Sequence, residues 1–203
     1  MKIFCVGRNY VEHAKELNND VPTEPVIFLK PKTAFLNHNA SFYYPEFTNE
    51  LHYEIELVLR ISKNGKYVSE ANAAEYYNAL TVGIDFTARD VQQELKKAGL
   101  PWEKAKAWDN SALVGEFINV KPDGLNKPLT FKLEKNGETV QKGNSKMMIF
   151  SFPQIISHVS TYFSLNIGDL VFTGTPAGVG ECVVGDVLTG YLEDKKLFET
   201  IVR

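Results

Sequence analysis

Residues 53–62, Tyr-Glu-Ile-Glu-Leu-Val-Leu-Arg-Ile-Ser, read as one long strand, and that strand sets the terms for the rest of the chain. Side chains alternate across a strand. Tyr53, Ile55, Leu57 and Leu59 therefore share a face that must be covered by a core, and Glu54 and Glu56 share the other. Two carboxylates at i and i+2 have Cα atoms about 7 Å apart, so their oxygens can converge. Without a cation they repel and one pKa rises. Carboxylate oxygens select a hard ion, Mg²⁺, Ca²⁺ or Mn²⁺, over zinc. The pair alone fits a solvent-facing polar row on an amphipathic strand better than it fits a metal site.

The remaining elements are short and mixed. Strands are expected over 2–6, 26–30 (stopped by Pro31), 80–86, 169–173, 187–193 and 196–202, with 129–134 and 138–141 forming a hairpin about Asn136-Gly137. Asn64-Gly65 supplies a second tight hairpin after the long strand. Helices are expected over 10–17 (followed by polar Asn18-Asn19-Asp20), 71–79, 88–98 and from Ser151-Phe152-Pro153 to about 164. Thr87 with Asp90 three residues on reads as a helix N-cap, and Gly99 followed by Pro101 as a stop. Strands outnumber helices without regular βαβ alternation, which predicts an α+β, β-rich domain rather than a doubly wound sheet.

Composition narrows the function classes. A 44% hydrophobic share over 203 residues excludes a disordered chain or fibre and is ample for a core. A formal charge of −3 argues against nucleic acid as partner. No apolar run nears the ~18 residues a bilayer span needs, so no membrane partner is expected. The apolar start before Gly7-Arg8 is shorter than a secretory h-region of roughly 7–15 residues, which gives a cytoplasmic expectation. Cys5 and Cys182 read as reduced, buried thiols.

Four further features bear on chemistry. Asp85 ends an apolar strand, where an unpaired charge is costly. It either tethers the following helix or completes a three-carboxylate ion site with Glu54 and Glu56. His13 and Glu16 are neighbours at i and i+3, either a surface pair or a base with its tautomer fixed. Thr173-Gly-Thr-Pro-Ala-Gly-Val-Gly180 lets backbone approach an anion, but it lacks the lysine and helix of a nucleotide loop and fits a wide turn equally well. Lys106, Lys104, His38, His52 and His158 have ordinary readings by themselves.

Six stretches, GRNYVEHAKEL (7–17), EPVIFLKPKTAF (24–35), ELHYEIELVLRI (50–61), GIDFTARDVQQELKKAGLPWEKAKAWD (83–109), MIFSFPQIISHVS (148–160) and GDLVFTGTPAGVG (168–180), resemble in order the short form of the fumarylacetoacetate hydrolase family, nearest its acylpyruvase and oxaloacetate decarboxylase-like members. The resemblance implies a mixed β-sandwich roll of the family's C-terminal domain type. It implies one catalytic domain over 1–203 with no extra N-terminal domain, a homodimer, and Mg²⁺ or Mn²⁺. Glu54, Glu56 and Asp85 fall on the metal ligands, Lys106 on the active-site lysine, and His13 and Glu16 on a lid helix that orders a water. Arg89, Gln92 and Thr175 fall on substrate-binding positions. The chain departs from many relatives at Asn110-Ser111-Ala112-Leu113, beside the expected pocket, and at Gly143-Asn144-Ser145.

The implied activity is a divalent-metal-dependent C–C hydrolase or lyase on a small 2-oxo acid, by acylpyruvate hydrolysis or oxaloacetate decarboxylation through a pyruvate enolate stabilised by the ion. A 2-hydroxydienoate hydratase or isomerase of the same fold is the first alternative, and a non-catalytic binding protein the second.

Overall fold

A computed structural model describes residues 1–16, 20–120 and 127–203. In chain order the elements are β1 (Ile3–Gly7), α1 (Val11–Glu16), β2 (Val26–Lys30), β3 (Phe35–Asn37), β4 (Leu51–Tyr53), β5 (Ile55–Ile61), β6 (Tyr77–Asp85), β7 (Thr87–Ala88), α2 (Arg89–Ala98) and α3 (Glu103–Lys106). Then follow β8 (Ala112–Val114), β9 (Ile118–Asn119), β10 (Thr130–Lys135), β11 (Glu138–Asn144), α4 (Phe152–Tyr162), β12 (Leu170–Phe172), β13 (Gly180–Glu181), β14 (Val187–Leu192) and β15 (Lys195–Ile201). Leu17, Asn18 and Asn19 of the expected helix end and polar stretch lie outside the described residues.

The large sheet runs β2-β1-β12-β5-β6-β8-β3, with β9 also on β6. Only β1·β12 and β3·β8 among its pairs are parallel, so the sheet is mixed and strand-rich as expected. A four-stranded sheet, β11-β10-β14-β15, packs against β5 and β6. Leu57, Leu59 and Ile61 of β5 meet Phe131, Leu133, Leu188 and Phe198 in that core. The opposite face of the large sheet is also buried, in a second cluster formed by Ile3, Cys5, Val58 and Phe172 of the sheet with Ala34. Both cysteines are free and buried. Burial on both faces leaves no wet side for Glu54 and Glu56, so the polar-row reading of that pair falls.

Local expectations fail where distant groups intervene. The strand at 53–62 is interrupted at Glu54. Residues 51–53 pair with β13 and β7 in a small third sheet, while 55–61 belong to the large one. The chain changes sheet there because the Gln141 side chain accepts the Ile55 N–H at 2.9 Å, in place of a ladder partner. Asn64-Gly65 makes no tight hairpin. Gly65 bridges to Leu165, and β5 reaches β6 through a 3₁₀ turn at Glu70–Tyr76, where an α-helix over 71–79 was expected. Thr87 does not cap α2. Its hydroxyl accepts from Lys106 Nζ, and Asp90 instead accepts from Thr48 Oγ1 and the Asn49 N–H. The Gly99 stop (φ 64°) and the hairpin at Asn136-Gly137 (φ 55° and 85°) form as predicted, because those signals are satisfied within a few residues.

Candidate active site

The sheet switch at Glu54 is what assembles the centre. Glu54 leaves β4, Glu56 lies on β5, and Asp85 ends β6 beside them, its N–H donating to the Glu54 carbonyl at 2.9 Å. One oxygen from each carboxylate lies within 4.8 Å of the others. All three residues are buried, at most 5% exposed.

Three cations stand against these three acids. Lys106 Nζ donates to Glu54 Oε2 and Asp85 Oδ2, both at 2.8 Å, and to Thr87 Oγ1. Arg89 donates to Glu54 Oε1 and to Gln92 Oε1. Lys30, fully buried at the end of β2, lies 2.7 Å from Asp85 Oδ1. Lys30 Nζ also donates to Ser111 O (2.9 Å), Ser111 Oγ (3.0 Å) and Phe86 O (3.4 Å), with better angles than it has toward Asp85. Asp85 Oδ1 consequently has a charge beside it but no hydrogen-bond donor.

Burial alone would raise the Glu54 carboxyl; Lys106 and then Arg89 outweigh it and hold the group well below the ordinary range. Glu56 behaves oppositely. Burial, and next the Asp85 carboxylate, push it well up, and the Gly174 N–H offsets only part of this. Lys106 is lowered by burial but raised further by Asp85 and Glu54, so it keeps its charge. An all-oxygen, buried triad whose Glu56, among the described residues, has no cationic side chain paired to it fits a hard divalent cation.

The glycine-rich segment after β12 is neither a phosphate loop nor an idle turn. Gly174 N–H donates to Glu56 Oε2 at 2.6 Å, with φ 102°. A Cβ there would lie 2.5 Å from Asn9 Cβ. Gly174→Ala is therefore expected to cost about 3 kcal/mol of stability, from strain plus overpacking. Thermal unfolding checks this; an unchanged midpoint would show that the loop relaxes freely.

His13 on α1 is 5% exposed, which removes the surface-pair reading. Its Nδ1 lies 3.3 Å from Glu16 Oε2, and Glu16 in turn accepts the Gly178 N–H at 3.0 Å. Burial pushes the imidazole below its ordinary pKa, with Glu54 and Glu16 pulling the other way. Of the nine residues singled out in sequence, His13, Glu54, Glu56, Asp85, Arg89, Gln92, Lys106 and Thr175 line one pocket, and Glu16 stands behind His13. Arg89 is engaged with Glu54 rather than free, and Thr175 Oγ1 accepts from Gln141 Nε2 at 2.9 Å.

Lys30, Gln141 and Asn9 were missed. Lys30 carried a usable signal, a charge at the end of the apolar strand Val-Ile-Phe-Leu, like that which pointed to Asp85. Gln141 and Asn9 carried none; Asn9 ties the segment after β1 to Phe150 and Thr173.

The profile described as Fumarylacetoacetate (FAA) hydrolase C-terminal matches residues 2–200. The bovine (Bos taurus) mitochondrial oxaloacetate tautomerase FAHD1 is 46% identical over 180 residues, 88% of this chain and 80% of its own. Oxaloacetate tautomerase YcgM of Escherichia coli (strain K12) is 41% identical over 189 residues, 93% and 86% of the two chains. Among solved structures, fumarylpyruvate hydrolase from Pseudomonas aeruginosa in complex with Mn²⁺ and pyruvate superposes with TM-score 0.92 at 37% identity, covering 100% of this chain and 88% of that one. The 2-hydroxyhepta-2,4-diene-1,7-dioate isomerase from Mycobacterium marinum gives 0.84 at 34%, covering 99% and 73%. Family profile, curated relatives and solved folds agree with the six ordered motifs and the buried carboxylate triad, and the chain belongs to the fumarylacetoacetate hydrolase family.

Proposed function

We propose that this protein is a Mg²⁺- or Mn²⁺-dependent enzyme of 2-oxo acids whose main reaction is keto–enol tautomerisation of oxaloacetate. The observation that carries this reading is a buried imidazole, backed by a carboxylate, in the same pocket as the triad. The names of the curated relatives support oxaloacetate as substrate. Glu54, Glu56 and Asp85 would hold the ion, which when bound supplies Lewis-acid polarisation of the 2-oxo oxygen.

His13 takes a proton from C3, and its lowered pKa keeps it neutral and able to do so. Glu16 holds the imidazole orientation and stabilises the imidazolium. Lys106 brings an ammonium beside Glu54 and Asp85, where it stabilises negative charge gathering on the enol oxygen. Gln92 has its amide protons available to a substrate carboxylate, and the Thr175 hydroxyl would turn to it from a long, 3.5 Å contact with Pro176 O. The proton removed from carbon is returned to oxygen, so nothing is consumed or released.

A second reading shares the enolate. Cleavage of the C3–C4 bond, as acylpyruvate hydrolysis or oxaloacetate decarboxylation, is supported by the pyruvate held in the Pseudomonas structure. In hydrolysis His13 would deprotonate the attacking water; decarboxylation needs no such base. The dienoate isomerase alternative is supported by the mycobacterial neighbour and predicts an absorbance change without pyruvate. The cytoplasmic location, the homodimer and a single catalytic domain over 1–203 belong to the same proposal; light scattering tests the dimer.

Enol decay in the ultraviolet, run beside pyruvate release coupled to lactate dehydrogenase, separates the readings. Tautomerisation is expected to dominate with Mg²⁺ or Mn²⁺ and to vanish with chelator. His13→Ala is expected to slow it about 100-fold, while decarboxylation changes far less; equal losses in both would overturn the role of His13. The acid limb of kcat/KM should lie below the ordinary imidazole value of about 6.5, because burial disfavours the charged form. A limb at or above that value would assign the base elsewhere.

A further inference from the structure

The pocket holds more positive charge than the carboxylate triad uses. Four cations line it: Arg8, Arg89, Lys96 and Lys106. Arg89 and Lys106 are committed to Glu54 and Asp85. Among the described residues Arg8 and Lys96 form no ion pair, and the Lys96 side chain contacts only the Trp102 ring, its Nζ 5.9 Å from the centroid. Trp102 is itself braced edge-on against Phe28. Burial, and then the charges of Arg8, Arg89 and Lys106, push the Lys96 ammonium below its ordinary pKa. Unpaired, mutually repelling cations in a concave site are destabilising until an anion enters.

Arg8 is also held in place at a cost. Its φ is 60°, a left-handed conformation that a long side chain adopts rarely. The next residue fixes it there: Asn9 Nδ2 donates to Phe150 O and Thr173 O, and Asn9 Oδ1 accepts the Phe150 N–H. The turn that aligns His13 on α1 therefore also sets Arg8 at the pocket wall.

Charge counting points the same way. Lys30, Lys106 and Arg89 balance Glu54, Glu56 and Asp85. A divalent ion then leaves the inner site positive enough for the 2-oxo carboxylate end alone, and Arg8 with Lys96 is left over.

We infer that Arg8 and Lys96 form a second anion subsite, which takes the distal carboxylate of a 2-oxo dicarboxylate and makes the enzyme select dianionic over neutral-ended substrates. This deepens the proposed function and rests on its placing the 2-oxo end at the triad. Trp102 and Phe28 form the wall between the two ends, so they set the chain length that reaches both.

The test is binding of two non-reacting acids to the Mn²⁺-loaded protein by calorimetry: malate, with a carboxylate at each end, and lactate, which lacks the distal one. The wild type is expected to bind malate at least about tenfold more tightly, the scale of one charged hydrogen bond. In Arg8→Asn, chosen because asparagine tolerates the left-handed region, and in Lys96→Gln, that preference should fall several-fold. In the double variant it should shrink to about twofold, with lactate binding little changed and the thermal midpoint not lowered, since the repulsion and the Arg8 strain are both relieved. A KM for oxaloacetate raised about tenfold should accompany it. No malate preference in the wild type, or a preference that survives the double variant, overturns the subsite. A preference lost on mutation, in a protein that does not turn over oxaloacetate, upholds the subsite and overturns the proposed reaction instead.

Discussion

Asp85→Asn is expected to lower kcat/KM for oxaloacetate about a thousandfold, the ~4 kcal/mol that loss of cation polarisation represents, and to weaken Mn²⁺ binding in parallel. The substitution keeps the side-chain shape and changes only charge. That charge matters twice. It belongs to the third carboxylate of the triad that fits an ion, and it balances both Lys30 and Lys106. With asparagine in place, two buried ammonium groups share one fewer acid, and the centre loses its attraction for a further cation. Calorimetric titration with Mn²⁺ and the tautomerase assay read the two effects separately. Undiminished Mn²⁺ affinity would exclude Asp85 as a ligand.

Lys30→Met is expected to destabilise the fold by about 4 kcal/mol, the scale for breaking a buried pair on one side, which lowers the unfolding midpoint by roughly 10 °C in a chain of this size. Methionine fills the volume but leaves Phe86 O without its donor, Ser111 O with only the Phe86 N–H, and Asp85 Oδ1 without its counter-charge. Lys63→Met provides the contrast. Lys63 pairs with Glu75 at 2.8 Å, but both side chains are more than half exposed. Solvent screens that pair, so removing it should leave the midpoint nearly unchanged. Calorimetric melting of the two variants side by side checks the difference, and equal midpoints would mean the Lys30 site is hydrated.

The centre was legible in sequence where its signal was local. Alternation puts Glu54 and Glu56 on one face, Asp85 ends an apolar strand and His13 neighbours Glu16 by helical spacing, but the first and last of these read better by themselves as surface features. Their meeting point was not local, and it came from the resemblance of six ordered motifs. What stayed hidden depends on partners far along the chain. Gln141 reaches Ile55 across 86 residues and breaks the strand at Glu54. Gly65 is drawn into a bridge with Leu165, which overrides the turn preference of Asn64-Gly65. Lys30 finds Ser111 across 81 residues. Turn and cap chemistry specifies a backbone only where no tertiary hydrogen bond competes for the same groups.

The seating of β12 between β1, to which it is parallel, and β5, to which it is antiparallel, has a consequence for how the molecule is made. During translation the first strand emerges early and can pair with β2, but it finds its second neighbour only after residue 172 has cleared the ribosome. Glu56 receives its Gly174 donor, and Glu16 its Gly178 donor, at the same late moment. Nascent chains released before that point would expose two bare strand edges and an acidic cavity without its backbone clasp, and so should be the species that chaperones engage.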